Sequence, residues 1–169
     1  MKQSNNNAGF SLIELLIVVA IIGIIAAIAI PGLLASRRAA NEASAQSSIR
    51  TIHGAEATYR GTAGNGNYGT LTALQSQNLI DAVLGGADTS TKSGYTFTVT
   101  AIVGDPTANP ATQPTFYLTS NPAIASGATQ TGTRRFGMAD DGVLRGDSTS
   151  IDTPYADYNE VLTAPALGN

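Results

Sequence analysis

Between Phe10 and Ile30 the chain carries one charged side chain, Glu14, in a run that is otherwise apolar or small apart from Ser11. As a helix rising ~1.5 Å per residue, these roughly 21 residues span ~31 Å, the depth of a bilayer's hydrocarbon core. From Ile17 to Ile25 there is no polar face at all, so the helix belongs in a membrane or among other helices. A removable secretory signal places its small-residue cleavage site after the apolar core. Here Ala8-Gly9 come before it, and a cut after Gly9 leaves the hydrophobic helix on the mature chain.

That segment divides the 169 residues into three regions. Residues 1–9 form a short polar leader whose only basic residue is Lys2; residues 10–60 form a long helix, spanning a membrane over 10–30; residues 61–169 form a Gly/Thr/Ser-rich globular part. The formal charge of −3 is too small, and of the wrong sign, for a nucleic-acid surface. There is no cysteine, which excludes disulfides, thiolate metal sites and a Cys nucleophile.

Glu14 is the residue that most constrains function. A carboxylate inside a membrane segment costs ~3 kcal/mol on insertion scales, so it calls for a partner or a place at the interface, where its side chain snorkels. Cleavage after Gly9 supplies a partner. The new α-amine on Phe10, cationic at neutral pH, lies four residues upstream, one helical turn away on the same face. Pairing of that amine with Glu14, in its own chain or a neighbour's, gives an otherwise slippery apolar seam a fixed register.

Gly9-Phe10-Ser11-Leu12-Ile13-Glu14 and the apolar run continuing through Gly23 to Pro31 resemble the prepilin cleavage and methylation motif of type IV pilins. The resemblance is close over about the first 30 residues and looser to Arg60, and the short leader with Phe at the new N-terminus is similar to the type IVa branch. It implies that a membrane-embedded prepilin peptidase cuts between Gly9 and Phe10 and then N-methylates Phe10, and that Glu14 guides subunit docking. It also implies an inner-membrane precursor with its C-terminal part outside, which an assembly machinery builds into a helical homopolymer on the cell surface. The stretch between Gly23 and Pro31 is implied to unwind on assembly. On physical grounds alone Pro31, which lacks an N–H and crowds the Ala27 carbonyl, bends or loosens the helix, and Gly23 lowers its helix propensity.

From Pro31 to about Arg60 the helix continues with an apolar stripe of Ile49, Ile52, Ala55 or Ala57, and Tyr59, leaving Arg50, His53, Glu56 and Arg60 on other faces. Arg37 and Arg38 follow the membrane segment and face lipid headgroups, acids of neighbouring subunits, or solvent. Gly64-x-Gly66-x-x-Gly69 has the spacing of a dinucleotide fingerprint but follows a helix, outside any βαβ unit. Gly66-Asn67-Tyr68 with Leu71 and Leu74 resembles instead the connection that follows pilin helices. Period-two alternation predicts a strand over 95–101, a second over 115–119, and a hairpin of 133–138 with 143–145 turning at Asp141-Gly142. The remainder, from about Gly146, reads as an irregular tail.

The expected fold is therefore α+β, a long N-terminal helix, transmembrane in its first half, packed on a small antiparallel sheet. No catalytic residues, cofactor or metal are expected. His53 is the sole histidine, so a three-His zinc site is impossible, and no Gly-x-Ser-x-Gly elbow is present. Asp140, Asp141, Asp147, Asp152 and Asp157 do not follow an EF-hand loop; they suit solvated turns, with calcium as the alternative. Three functions remain: a pilus subunit for adhesion, twitching or DNA uptake; a pseudopilin forming a short periplasmic piston for type II secretion; and a membrane-tethered enzyme or binding domain. The Tyr-Pro-Thr and Gln-Gly-Leu segment typical of major pseudopilins is absent after Tyr59, which favours the first. The cysteine pair of many type IVa pilins is also absent.

Overall fold

The computed structural model describes residues 10–108 and 110–168. Helix α1 runs over Leu12–Gly61 and passes through two compact units, one ending at Ser36 and the other beginning at Arg37. In the first unit every large apolar side chain from Phe10 to Leu33 is exposed within the chain, as expected for a helix that is apolar all round and has no partner of its own. The helix continues through Gly23 and Pro31 without interruption.

The second unit is the α+β part. A five-stranded antiparallel meander runs in the order β1 (Thr89–Lys92), β2 (Tyr95–Ile102), β3 (Thr115–Pro122), β4 (Arg135–Ala139), β5 (Arg145–Asp147). Strand alternation sorts its faces: Phe97 pairs with Ser120 and Ser120 with Phe136, while Val99 pairs with Leu118 and Leu118 with Met138. All of these project to one side, where Ala45, Ile49, Ile52 and Ala55 of α1 join them in the main core. The long helix is thus packed on the sheet through its part beyond Arg37, as the sequence led us to expect. Of the two alternatives in the stripe, Ala55 is buried and Ala57 exposed. His53 packs its ring 5.7 Å from that of Phe116.

Two acids of α1 belong to this buried face. Glu56, assigned above to a polar face, is fully buried. Glu42, Ala45, Ile49, Ile52 and Glu56 recur at spacings of three and four, so both acids lie on the apolar line. Glu42 is well satisfied: one oxygen accepts from the Thr133 N–H and hydroxyl at 2.7 and 2.6 Å, and the other from Arg134 Nε at 3.0 Å. Burial raises its pKa, but the bonds from Thr133 and Arg134 outweigh that and hold it below the usual carboxylate range. Asn41 adds a bond to the Thr131 carbonyl, so the β3–β4 loop is tied to α1. Glu56 is different. Its Oε2 accepts from Gly69 N at 2.9 Å, but Oε1 has no hydrogen-bond partner among the described residues, and burial pushes its pKa up to about 7 despite the Gly69 bond.

Five further elements depart from the sequence reading. Strand β1 and the short helices α2 (Leu71–Ser76) and α3 (Ala82–Gly85) were not anticipated. The β1–β2 hairpin turns on Ser93-Gly94, both left-handed at φ 49° and 73°, the conformation of a type I′ turn. The β4–β5 hairpin does turn on Asp140-Asp141-Gly142, but β5 begins only at Arg145, because Arg145 rather than Val143 finds its partner in Gly137. The tail is ordered structure. Helix α4 (Tyr158–Thr163) is capped by Asp157, whose carboxylate accepts from Glu160 N at 2.8 Å. Tyr155 and Val161 pack on the sheet's second face, and a Cβ on Gly137 would stand 2.9 Å from the Tyr155 ring. Gly146 N to Pro165 O, and Leu167 N to Leu144 O, then cover the β5 edge.

One buried cation holds this C-terminal segment. Arg135 reaches Asp147 at 3.3 Å, Glu160 at 2.9 Å and the Pro154 carbonyl at 3.4 Å, with its guanidinium 4.0 Å from the centre of the Tyr155 ring. Asp147 also accepts from the Tyr155 hydroxyl at 3.0 Å and from Thr149, so its pKa falls although burial raises it. Two more acids of the cluster are similarly engaged. Asp141 pairs with Arg145 at 2.7 Å, and Asp140 accepts from the Tyr158 hydroxyl at 2.6 Å.

Candidate functional site: the N-terminal segment of α1

Helix α1 opens at Leu12, directly after the residue that starts its hydrogen-bond ladder: Ser11 O accepts from Leu15 N at 3.2 Å. Ser11 and Glu14 have the Ser-x-x-Glu spacing of a capping box, and Glu14 Oε2 accepts from Ser11 N at 3.0 Å. The acid therefore satisfies one of the backbone donors left unpaired at the helix N-terminus, where the helix dipole also favours a negative charge. This contact was not anticipated. Its signal, a Ser three residues before the Glu at the head of an apolar run, is plain in the sequence.

Among the residues singled out from the sequence, the structure brings Ser11 and Glu14 together at the helix start, with Phe10 immediately before them and 82 % exposed. Gly23 and Pro31 lie further along the same helix. Gly9 and Lys2, with the rest of the leader, lie outside the described residues. The helix is long and apolar enough to cross a membrane. Among the described residues no group of three or more His, Asp or Glu side chains is placed to hold a metal.

Residues 4–30 match the family model described as the prokaryotic N-terminal methylation motif, a span that contains Gly9, Phe10, Glu14 and Gly23. Over 37 residues, 22 % of this chain and 28 % of the relative, the sequence is 65 % identical to the type IV wide pilus major component PilA4 of Thermus thermophilus. Over 53 residues, 31 % of this chain and 24 % of the relative, it is 43 % identical to the type IV major pilin protein PilA of Myxococcus xanthus. The chain thus spans about a quarter of the length of the relatives it matches. No solved structure matches the chain. Over its N-terminal segment the chain thus carries the prokaryotic methylation motif and is similar to type IV pilins, at the head of a long apolar helix.

Proposed function

We propose that the chain is a precursor cut between Gly9 and Phe10 by a prepilin peptidase, N-methylated on Phe10, and assembled into a type IV pilus. The observation that carries this reading is the exposed apolar helix with a single acid, Glu14, inside the methylation motif. Before assembly the helix anchors the chain in the inner membrane over residues 10–30, with the globular part outside. During assembly it leaves the bilayer and packs among the helices of other copies, where burial of order 25 cal/mol per Å² of apolar surface holds it. The role is structural, not enzymatic.

In this reading Glu14 exchanges partners. In the single chain it accepts from Ser11 N; cleavage then creates a cation at Phe10, and a neighbour's or its own amine competes for the carboxylate. Gly23 and Pro31 bound the part of the helix best able to unwind, because Gly carries the least helix propensity short of Pro, and Pro31 leaves the Ala27 carbonyl without its donor. A surface pilus is favoured over a periplasmic pseudopilus, since one matched relative is named as a major pilus component and the other as a major pilin. Imaging distinguishes the two: surface filaments containing this chain are expected, and purely periplasmic assemblies support the pseudopilin reading.

Mass spectrometry of the mature chain tests the processing. The expected N-terminus is a methylated Phe10, with Gly9 required because a side chain there blocks close approach of the peptidase to the backbone. A chain that keeps residues 1–9, or one cut after Ala29, overturns the proposal. Glu14→Val tests the assembly step. Removing the acid eases insertion by ~3 kcal/mol, so membrane-bound subunit is expected at wild-type level. Sheared filament yield is expected to drop at least about tenfold, the factor given by ~1.4 kcal/mol of docking energy. Equal yield at equal subunit level removes Glu14 from the assembly mechanism.

A further inference from the structure

A cavity of about 390 Å³ lies between the loop that follows α1 and the β2–β3 loop. Its size falls in the ~300–1,000 Å³ range of small-molecule clefts. Arg60 lines it and is, among the described residues, the one charged residue that does. The guanidinium is fixed before any ligand arrives. Nε donates to Gly66 O at 3.0 Å, Nη1 donates to the Tyr68 hydroxyl at 3.0 Å, and the group sits 5.1 Å from the centre of the Tyr68 ring. Nη2 has no hydrogen bond among the described residues, so part of the donor fork is left over.

The opposite wall is also tied in place. Asp105 N donates to the Thr112 hydroxyl at 2.8 Å and Thr112 N to Asp105 O at 2.9 Å. The Asp105 carboxylate is occupied by Thr107, accepting from its N–H and hydroxyl at 2.8 and 2.7 Å. This wall presents Val103, 71 % exposed, with Pro106 and Pro114, beside the amide of Gln113; Asn67 adds another amide from the first loop.

From this arrangement we infer that the Arg60 cleft binds a carboxylated sugar, a uronic acid or a saccharide that ends in one. The single guanidinium suits one negative charge, and its planar fork suits a carboxylate. Side-chain amides that both donate and accept match vicinal hydroxyls. The exposed Val103–proline surface suits the C–H face of a pyranose ring, an apolar patch that is otherwise left in water. None of these features lies in the N-terminal segment, so the inference is independent of the processing and assembly proposed above.

The test is an NMR titration of the full chain in detergent micelles with D-glucuronate, D-glucose and acetate. Saturable shifts at Asn67, Val103 and Gln113 are expected with glucuronate, with affinity for glucose and for acetate at least about tenfold weaker. Arg60→Gln is expected to weaken glucuronate binding at least about tenfold. Because Arg60 also ties its own loop, Val103→Glu serves as the second variant: at an exposed position it leaves the fold intact, removes the apolar platform and repels the carboxylate. No saturable glucuronate binding, or unchanged binding by Val103→Glu, overturns the inference. Glucose bound as tightly as glucuronate overturns carboxylate recognition. Acetate bound as tightly overturns the sugar and points to a side-chain carboxylate of a second copy.

Discussion

Arg135→Met will detach the C-terminal segment from the sheet while leaving the packing of α1 on β1–β3 in place. The substitution keeps an unbranched buried stem but removes every polar contact of the guanidinium. Asp147, Glu160 and the Pro154 carbonyl lose the guanidinium, although Asp147 keeps the Tyr155 hydroxyl and Thr149 and Glu160 keeps Ala156 N, and the Tyr155 ring loses the cation above it. Breaking a buried ion pair on one side is more costly than the pair is worth, because the remaining charge stays buried and uncompensated, ~3–5 kcal/mol in sites fully shielded from water. Glu160 is 37 % exposed and regains much of its hydration, so the expected loss is near the lower end, ~3 kcal/mol. Urea denaturation of the full chain in micelles measures the cost, and hydrogen exchange locates it. Amides from residue 155 to 167 are expected to lose protection, whereas those of β2 and β3 keep theirs. Adding Asp147→Asn and Glu160→Gln to Arg135→Met is expected to restore part of the stability, since the orphaned charges go with the cation. If exchange at 155–167 is unchanged in Arg135→Met, the ionic cluster does not hold the segment. In a chain without cysteine that task would then fall to Tyr155, Val161 and the β5-edge bonds alone.

How the sequence and the fold correspond is clearest on α1. The uniformly apolar stretch and its lone acid were legible because nothing else produces such a run, and the apolar stripe through Ile49 and Ile52 because helical periodicity is a strong signal. Strand β2 was equally plain, since Tyr95 to Val99 alternate without interruption. Glu56 was misplaced because residue type was weighed above position: the spacing from Ile49 and Ile52 puts it on the core line, but a carboxylate is almost never found there without a partner. The short elements were hidden for another reason. Helices α2, α3 and α4 are 6, 4 and 6 residues long, too short to show a period. Their N-cap residues Thr70, Asp81 and Asp157 were the available signals. Ser93-Gly94 likewise marked the β1–β2 hairpin, but the preceding Thr89–Lys92 carries no apolar alternation to announce a strand. At the N-terminus, the residues proposed for processing and docking were readable as a spaced motif, whereas the Ser11–Glu14 contact needed coordinates. The Arg60 cleft depended on two loops meeting, which no local pattern in either loop reveals.

The buried acid that the sequence reading misplaced should make the headpiece unusually sensitive to alkali. Glu56 has a pKa of about 7 in the folded chain against an ordinary value of 4.5, because burial disfavours its charged form and only the Gly69 N–H opposes that. Neighbouring charges do not relieve it: Arg60, one turn further along α1, turns its guanidinium to Gly66 and Tyr68 rather than to Glu56. A raised carboxyl pKa means that the folded chain binds more protons than the unfolded chain between pH 4.5 and about 7. Stability from this group is therefore fully present below the lower value and falls as pH rises through the window. Above about pH 8 the loss levels off at ~3 kcal/mol. The opposite limb comes from acids such as Glu42 and Asp147, whose lowered values make the fold weaken on acidification, so a stability maximum between the two limbs is expected. Glu56→Gln isolates the alkaline limb. The amide oxygen still accepts from Gly69 N, no charge forms at any pH, and the cost is one buried N–H₂ group of ~1–3 kcal/mol. Denaturation of the two full-length chains in micelles from pH 5 to 9 should give curves that cross: wild type is the more stable at pH 5, and the variant equals or exceeds it at pH 9. Exchange at Gly69 in wild type, corrected for the intrinsic rise of exchange with pH, should show that the loop loosens in the same range. Parallel curves from pH 5 to 9 would mean that Glu56 is not a carboxyl titrating inside the core, and that Oε1 has a partner that keeps it charged.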